Sequence, residues 1–251
     1  MVAMKAVGII PARYESTRFP GKPLAPIAGR PMIQHVYERA CRAKHLDEVW
    51  IATDDARIAD AARGFGAPVA MTSPDHPTGS DRLAEACQDL DCEIVVNIQG
   101  DEPLIDPAQI DACVDALLAN PNIPMATLVH PAGAAIASDP HRVKVVLDAA
   151  GRALYFSRAP IPAQHTGGAG TADDAPRFLQ HIGIYAYRRE FLLEFVALPR
   201  TCLEVAEGLE QLRALEHGYA IQAVIIEAFE SCAVDVPADI AKVEARLAAS
   251  G

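Results

Sequence analysis

The stretch from Ile9 to Leu24, IIPARYESTRFPGKPL, gathers Arg13, Ser16, Arg18 and Lys22 directly behind a short apolar run, with Glu15 as the one acidic side chain among them. Such a grouping suits an anion. Guanidinium forks match phosphate oxygens two at a time, and an ammonium acts as a mobile point charge. The loop is not a Walker A loop, because Lys22 is followed by Pro23 and the G-x-x-x-x-G-K spacing is missing, and it is not G-x-G-x-x-G. Side chains must therefore do most of the binding, with Gly21 allowing a tight turn. Taken singly, each residue reads as solvated surface. Placed together behind the first strand of an α/β sheet, they predict a phosphate site.

A second group is QGDEP, Gln99 to Pro103, at the end of the apolar run EIVVNIQ. A carboxylate there can hold Mg²⁺, which takes one or two protein carboxylates and fills its remaining positions with phosphate oxygens and water. Asp101 is the candidate, and Asp235 in AVDVPADI is the second carboxylate. The structural alternatives are a turn before Pro103 and a helix cap at Asp235. A third group comprises Arg158 in YFSR, His181 and Tyr185 in QHIGIY, and Glu207, Glu210 and Gln211 in EVAEGLEQL. One at a time, these read as a core histidine, a packing tyrosine and the solvated face of a helix.

The elements that must position these groups alternate between short apolar runs and segments of helical period, the pattern of β-α units and a mainly parallel sheet. AVGII reads as the first strand. Pro31 can open a helix through PMIQHVYERACRA; EVWIAT is a strand; Asp54 or Asp55 caps a helix to about Gly64; and PVAMT is a strand. Thr78 or Ser80 caps the next helix, EIVVNIQ is a strand buried on both faces, and Asp106, Pro107 and Gln109 start a helix through IDACVDALLA. MATLVH can form a further strand. From about Val143, VKVVLDAAGRALYFSR reads as an antiparallel hairpin, PAQHTGGAGTADDAP as an exposed mobile loop, and FLQHIGIYAY as a strand. EVAEGLEQLRALEH reads as one helix stopped by Gly218, AIQAVIIE as a strand, and Pro237 as the start of a terminal helix. The expectation is a single domain over residues 1–251: a three-layer α/β/α, Rossmann-like sheet with a hairpin region inserted at about 140–190.

The chain has 251 residues, 51% of them apolar and 22% charged, which suits a compact globular protein and excludes broad disorder. A net charge of −11 disfavours nucleic acid and anionic membrane surfaces, while a small anion responds to its local site. Met1 to Met4 leave no room for a signal peptide before Lys5, and no apolar run is long enough for a bilayer span, so no membrane insertion and a cytoplasmic location are expected. The six cysteines are scattered, without C-x-x-C pairs, and read as free thiols.

Several of these segments together resemble the 3-deoxy-manno-octulosonate (Kdo) cytidylyltransferase family, the CMP-Kdo synthetases. They are IIPARYESTRFPGKPLAPIAGRPMIQHVYERA, ATDD, TGSDRLAEA, VVNIQGDEPLI, VKVVLDAAGRALYFSRAPIP, HIGIYAYRREFL and LEQLRALEHGYAI. The resemblance covers nearly the whole chain and implies transfer of CMP from CTP to the anomeric hydroxyl of Kdo, with release of pyrophosphate, feeding lipopolysaccharide assembly. It implies that Arg13, Ser16, Arg18 and Lys22 hold the triphosphate, that Lys22, Arg13, Arg18 and Asp101 carry catalysis, and that Asp101 and Asp235 bind Mg²⁺. Ser80, Arg82 and Gln99 would contact the cytosine and ribose; Arg158, His181, Tyr185, Glu207, Glu210 and Gln211 would form the sugar-acid pocket. The family also implies a homodimer built on the hairpin. The chain departs from the family in carrying Val236 where threonine is usual. Readings left beside this one are a different acid sugar, such as 8-amino-Kdo or a sialic acid, and a non-catalytic nucleotide-binding protein.

Overall fold

In the computed structural model, which describes residues 5–15, 19–163, 178–227, 229 and 232–249, the apolar runs and amphipathic segments form eleven strands and nine α-helices among those residues. In chain order these are β1 (Ala6–Ala12), β2 (Pro26–Ile27), β3 (Arg30–Pro31), α1 (Met32–Ala40), β4 (Glu48–Thr53), α2 (Ala56–Gly64), β5 (Val69–Met71), α3 (Gly79–Ala86), β6 (Ile94–Asn97) and α4 (Pro107–Ala119). There follow β7 (Met125–Ala132), α5 (Ala134–Ala137), β8 (Lys144–Leu147), β9 (Ala153–Ser157), β10 (Phe178–Arg188), α6 (Arg189–Ala197), α7 (Cys202–Glu207), α8 (Leu212–Glu216), β11 (Ile221–Ile225) and α9 (Ile240–Ala249).

The main sheet runs β11-β7-β10-β6-β1-β4-β5. β1 pairs in parallel with β4 and β6, β4 with β5, and β11 with β7, while β10 lies antiparallel between β6 and β7. β8 and β9 form the expected antiparallel hairpin, which joins the sheet through β8 and β10. One apolar core, with Ile33, Val36, Ile58, Ile110 and Leu117, fills one face; the other, with Leu83, Phe156, Leu192, Phe195 and Leu212, fills the opposite face. Burying helices on both faces of a mostly parallel sheet yields the three layers that the strand pattern predicts.

This order creates the crevice. From β1 the chain moves outward to β4 and β5, then returns to place β6 on the other side of β1. The loops after β1 and β6 thus open side by side at the carboxyl ends of the strands, where open α/β sheets bind ligands. Those loops carry the basic stretch and QGDEP.

Several local expectations change. Pro31 occupies the N-cap position of α1 rather than its first turn, with its backbone paired in the small β2–β3 ladder. Asp55 and Thr78 are the caps at α2 and α3, with Asp81 completing a capping box at Thr78. The single helix expected around Glu210 is two, α7 and α8, broken at Gly208, whose φ of 60° is left-handed and stops α7. Helix α6 was not anticipated. Pro237 opens a 3-10 turn, Pro237–Asp239, before α9. Of the exposed loop expected at 162–176, residues from 164 onward lie outside the described residues, as do Ser16 and Arg18.

Two arginines fasten β10 to both helical layers. Arg188 donates to the carbonyls of Leu117 and Asn120 at the end of α4, and Arg189 to those of Cys87 and Gln88 at the end of α3. Cations at helix C-termini satisfy the last carbonyls and complement the dipole. Further along, buried Glu204 and Arg213 form a two-point ion pair, at 2.9 and 2.6 Å, that fixes α7 against α8. Arg213→Met is expected to leave the Glu204 carboxylate buried with only the exposed Arg200 nearby, costing about 3 kcal/mol and lowering Tm by roughly 10 °C. A thermal melt beside the unaltered protein checks this, and an unchanged Tm would refute the pair's stabilising role.

Candidate active site

The basic loop is closed at its neck. Gly21 N donates to Tyr14 O at 2.8 Å, and the Tyr14 ring lies against Gly21, where a Cβ would meet ring atoms at 3.1 Å. Gly21 also has φ 71°, so glycine is required on both counts. On its other side the ring carries the Arg57 guanidinium, 3.3 Å from its centroid. This neck delivers Lys22 to the crevice. Lys22 Nζ donates to Asp101 Oδ2 at 2.8 Å and to Val234 O at 3.0 Å, and Val234 N donates back to Asp101 O at 2.9 Å. Three distant segments therefore meet at one point, with Asp235 the next residue along.

Asp101 and Asp235 are thus neighbours through backbone pairing. Among the described residues no group of three or more His, Cys, Asp or Glu could hold a metal. Carboxylates are nonetheless the protein ligands that Mg²⁺ takes, its remaining positions being filled by phosphate and water. Val236 has no hydroxyl to cap the following turn, and Asp239 does so instead, accepting from the N–H groups of Asp235 and Val236 at 3.0 and 3.1 Å. The Asp235 side chain lies outside that cap and lines a cavity of about 540 Å³ with Asp139, Arg142 and Lys242.

Beside the β1 end lies a second cavity, of about 270 Å³, lined by Pro11, Ala12, Arg13, His76, Pro77, Thr78, Gly79 and Arg82. Arg82 is buried and held by Thr72 Oγ1 at 2.5 Å and by Asp54 at 3.2 Å. Ser80 is buried and donates to Glu210 Oε2 at 2.7 Å. Two residues assigned to different ligands thus touch.

A third cavity, also about 270 Å³, opens beside the β6 loop and is lined by Gln99, Glu102, Gln109, His181, Tyr185, Leu209, Gln211 and Phe229 among others. The structure therefore groups Gln99 with the residues expected to face the sugar acid; its Nε2 donates to Gly183 O at 2.8 Å. Gln211 is buried with an unpartnered Nε2, and Glu210 has an unpartnered Oε1. Buried polar atoms without partners are costly, and the position of Gln211 on this cavity points to a polar ligand, whereas Glu210 is not among the lining residues and its Oε1 lies 3.9 Å from Arg213. His181 is held by Thr127 Oγ1 at 3.0 Å and packs on Phe156 and Tyr185. Burial pushes its pKa down to about 3 and the Tyr185 phenol well above its ordinary range, so both are neutral at pH 7. Because the folded pKa lies below the ordinary His value of about 6.5, His181 favours folding above that pH and opposes it as pH falls toward 3. His181→Gln is expected to flatten the stability loss between pH 6 and 4 by up to about 1.4 kcal/mol per pH unit. Denaturant titrations at both pH values check it, and parallel acid limbs would refute it.

Arg158 and Glu207 lie apart from this cavity lining. Glu207 accepts from Ser157 Oγ at 2.6 Å, Arg158 N at 2.9 Å and Tyr155 Oη at 3.3 Å. Burial raises its pKa, but these hydrogen bonds outweigh it and hold the carboxylate below its ordinary range. The Arg158 guanidinium donates to the carbonyls of Glu207, Gly208 and Pro140. Beneath them Lys144 is fully buried, its ammonium shared by the carbonyls of Asp139, Arg142 and Arg158 at 2.6 to 2.8 Å. Sequence reasoning missed Lys144, His76, Thr127 and Glu102. Lys144 and Thr127 sit in segments read only for strand, His76 falls between two readings, and Glu102 stands in QGDEP beside the chosen Asp101; nothing in their spacing signals a tertiary partner.

Residues 7–225 match the family described as cytidylyltransferase. The 3-deoxy-manno-octulosonate cytidylyltransferase of Syntrophobacter fumaroxidans is 54% identical over 94% of each chain, and that of Geobacter sulfurreducens is 52% identical over 97% of this chain and 100% of its own. A solved CMP:2-keto-3-deoxy-manno-octonic acid synthetase complexed with CTP superposes with a TM-score of 0.91 at 45% identity, covering 98% of this chain and 100% of that one. The crevice, the basic neck and the near-full-length likeness lead to one assignment: the chain belongs to the cytidylyltransferases, as a member of the 3-deoxy-manno-octulosonate cytidylyltransferase family.

Proposed function

We propose that this protein transfers CMP from CTP to the anomeric hydroxyl of Kdo, releasing pyrophosphate. The observation that carries the reading is the meeting of Lys22, Asp101 and the Val234–Asp235 segment at the strand ends, where Arg13 of the basic loop lines one cavity and Gln99 and Glu102 of the β6 loop line another. Nucleotide on one side and sugar acid on the other would bring hydroxyl and α-phosphate together there. Group transfer of this kind needs positioning and charge stabilisation more than a protein nucleophile, and the site supplies both. Arg13, Arg18 and Lys22 would neutralise the triphosphate. Lys22 would exchange its contact with Asp101 for phosphate oxygens as charge grows toward the leaving pyrophosphate.

Asp101 and Asp235 are the residues proposed to hold Mg²⁺, which when bound would offset phosphate charge and orient the two reactants. Neutral His181 and Tyr185, with Gln99 and Gln211, would read the sugar hydroxyls without adding positive charge. The proposed assembly is a homodimer through the hairpin, where Leu154 on β9 and Val205 on α7 are 60% and 63% exposed. The proposed setting is the cytoplasm, consistent with free cysteines at all six positions. No helix among the described residues is long and apolar enough to cross a membrane.

The test is pyrophosphate release by the purified protein with Mg²⁺ and CTP, with and without Kdo. Release that depends on Kdo supports the reading. A folded sample that releases none, or that prefers an 8-amino sugar acid or a sialic acid, overturns it.

A further inference from the structure

The short segment between α7 and α8 holds three consecutive residues with different surroundings. Leu209 and Gln211 line the cavity beside the β6 loop, whereas Glu210 between them does not. Its side chain instead reaches α3, where Oε2 accepts from Ser80 Oγ at 2.7 Å, a contact between residues 130 positions apart. Ser80 has the matching position on the other side. It stands in the first turn of α3 between Gly79 and Arg82, which line the cavity beside β1, yet it is 2% exposed and not part of that lining. One side-chain hydrogen bond thus joins the wall of one cavity to the wall of the other.

The contact is braced from both ends. Burial, and after it Glu210, holds the Tyr187 phenol of β10 above its ordinary range, while a hydrogen bond with Ser80 pulls the other way, so both partners abut the sheet. Arg213 lies 3.9 Å from Glu210 Oε1 and is itself held at two points by buried Glu204. The backbone follows the same path: Arg213 N donates to Glu210 O at 3.0 Å and Leu209 N to Glu204 O at 3.1 Å. The turn that carries Gln211 is therefore tied to α7 and α8 behind it, and to α3 through Ser80. A buried polar contact adds little net stability over a well-packed apolar one. What it does add is a single defined geometry.

We infer that Glu210 is a positioning residue for group transfer, acting through Ser80 to hold the Leu209–Gln211 wall against α3 and so to set the separation of nucleotide and sugar acid. A small misplacement of two reactants costs rate even where each still binds. The inference rests on the cytidylyl-transfer reading and gives Glu210 a role in it that requires no contact with the sugar.

The experiment is a double-substitution cycle, Ser80→Ala, Glu210→Ala and the two together, with amide hydrogen exchange over residues 209–213 measured on the same proteins. Each single change is expected to lower kcat about tenfold or more while moving the KM for Kdo by less than about threefold. Because the two residues act as one unit, the double variant should fall no more than about twofold below the worse single one. Glu210→Gln, which keeps an oxygen for Ser80, should stay within about threefold of the unaltered kcat. The amides of Leu209 and Arg213 are expected to exchange roughly tenfold faster in either alanine variant. Losses that multiply in the double variant, or a Glu210→Ala defect confined to the KM for Kdo, would show independent roles and overturn the inference. So would unchanged exchange of these amides in a Ser80→Ala protein that melts normally. Absence of Kdo-dependent release by the unaltered protein would instead defeat the transfer reading, and the exchange rates would still decide whether Ser80 fixes this turn.

Discussion

Asp101→Ala is expected to abolish Kdo-dependent pyrophosphate release, a loss of roughly 1,000-fold or more, while the protein remains folded. Folding should survive because the structure uses the backbone and side chain of Asp101 separately. Its carbonyl accepts from Val234 N, a contact that alanine preserves, and its carboxylate, partly exposed, pairs with Lys22. Lys22 keeps Val234 O after the substitution. What is lost is the proposed metal carboxylate at the end of β6. Asp101→Asn, which keeps the shape and removes the charge, should be nearly as inactive. The measurement is release rate alongside circular dichroism and a thermal melt; near-normal turnover by a folded variant would refute the metal role.

Lys22→Ala is expected to lower kcat by about 100-fold or more while raising the CTP KM much less. The ammonium is bound to Asp101 and Val234 O in the free protein, so part of its interaction with phosphate replaces contacts it already has. Ground-state affinity then gains little from it. Charge that appears only as the bond to pyrophosphate breaks gains more. Steady-state kinetics across CTP concentrations separate the two effects, and a rise in KM with kcat unchanged would show that Lys22 only binds.

Where the sequence was legible, local chemistry and tertiary packing agreed. Val49, Ile51 and Ala52 of β4 are apolar residues buried in a parallel sheet, and Asp55, Thr78 and Asp106 cap helices as their types and positions require. The basic loop and QGDEP could be placed because one strand-order rule brings both to the same crevice. The remaining site was harder to read. Gly208 breaks a segment whose apolar spacing continues through it, so periodicity alone predicts one helix. Gln99 follows a strand that serves two cavities, and which one it faces depends on the antiparallel placement of β10. Lys144 sits in a run of valines, and its burial is tolerable only because three carbonyls, two from the turn just before β8 and one from the end of β9, converge on it.

The arginine pair at the end of β10 has a consequence for how the molecule comes apart. Arg188 ends β10 and Arg189 opens α6, so two adjacent residues at this junction grip α4 and α3 from a single point at the end of the strand. A one-residue slip of β10 would carry both guanidinium groups off their carbonyls and uncap both helices together. The strand is thereby locked in alignment, and neither layer can peel away without disturbing the other. Loss of the two layers in one cooperative step is the behaviour this linkage imposes, with the amides of β10 among the slowest to exchange with solvent.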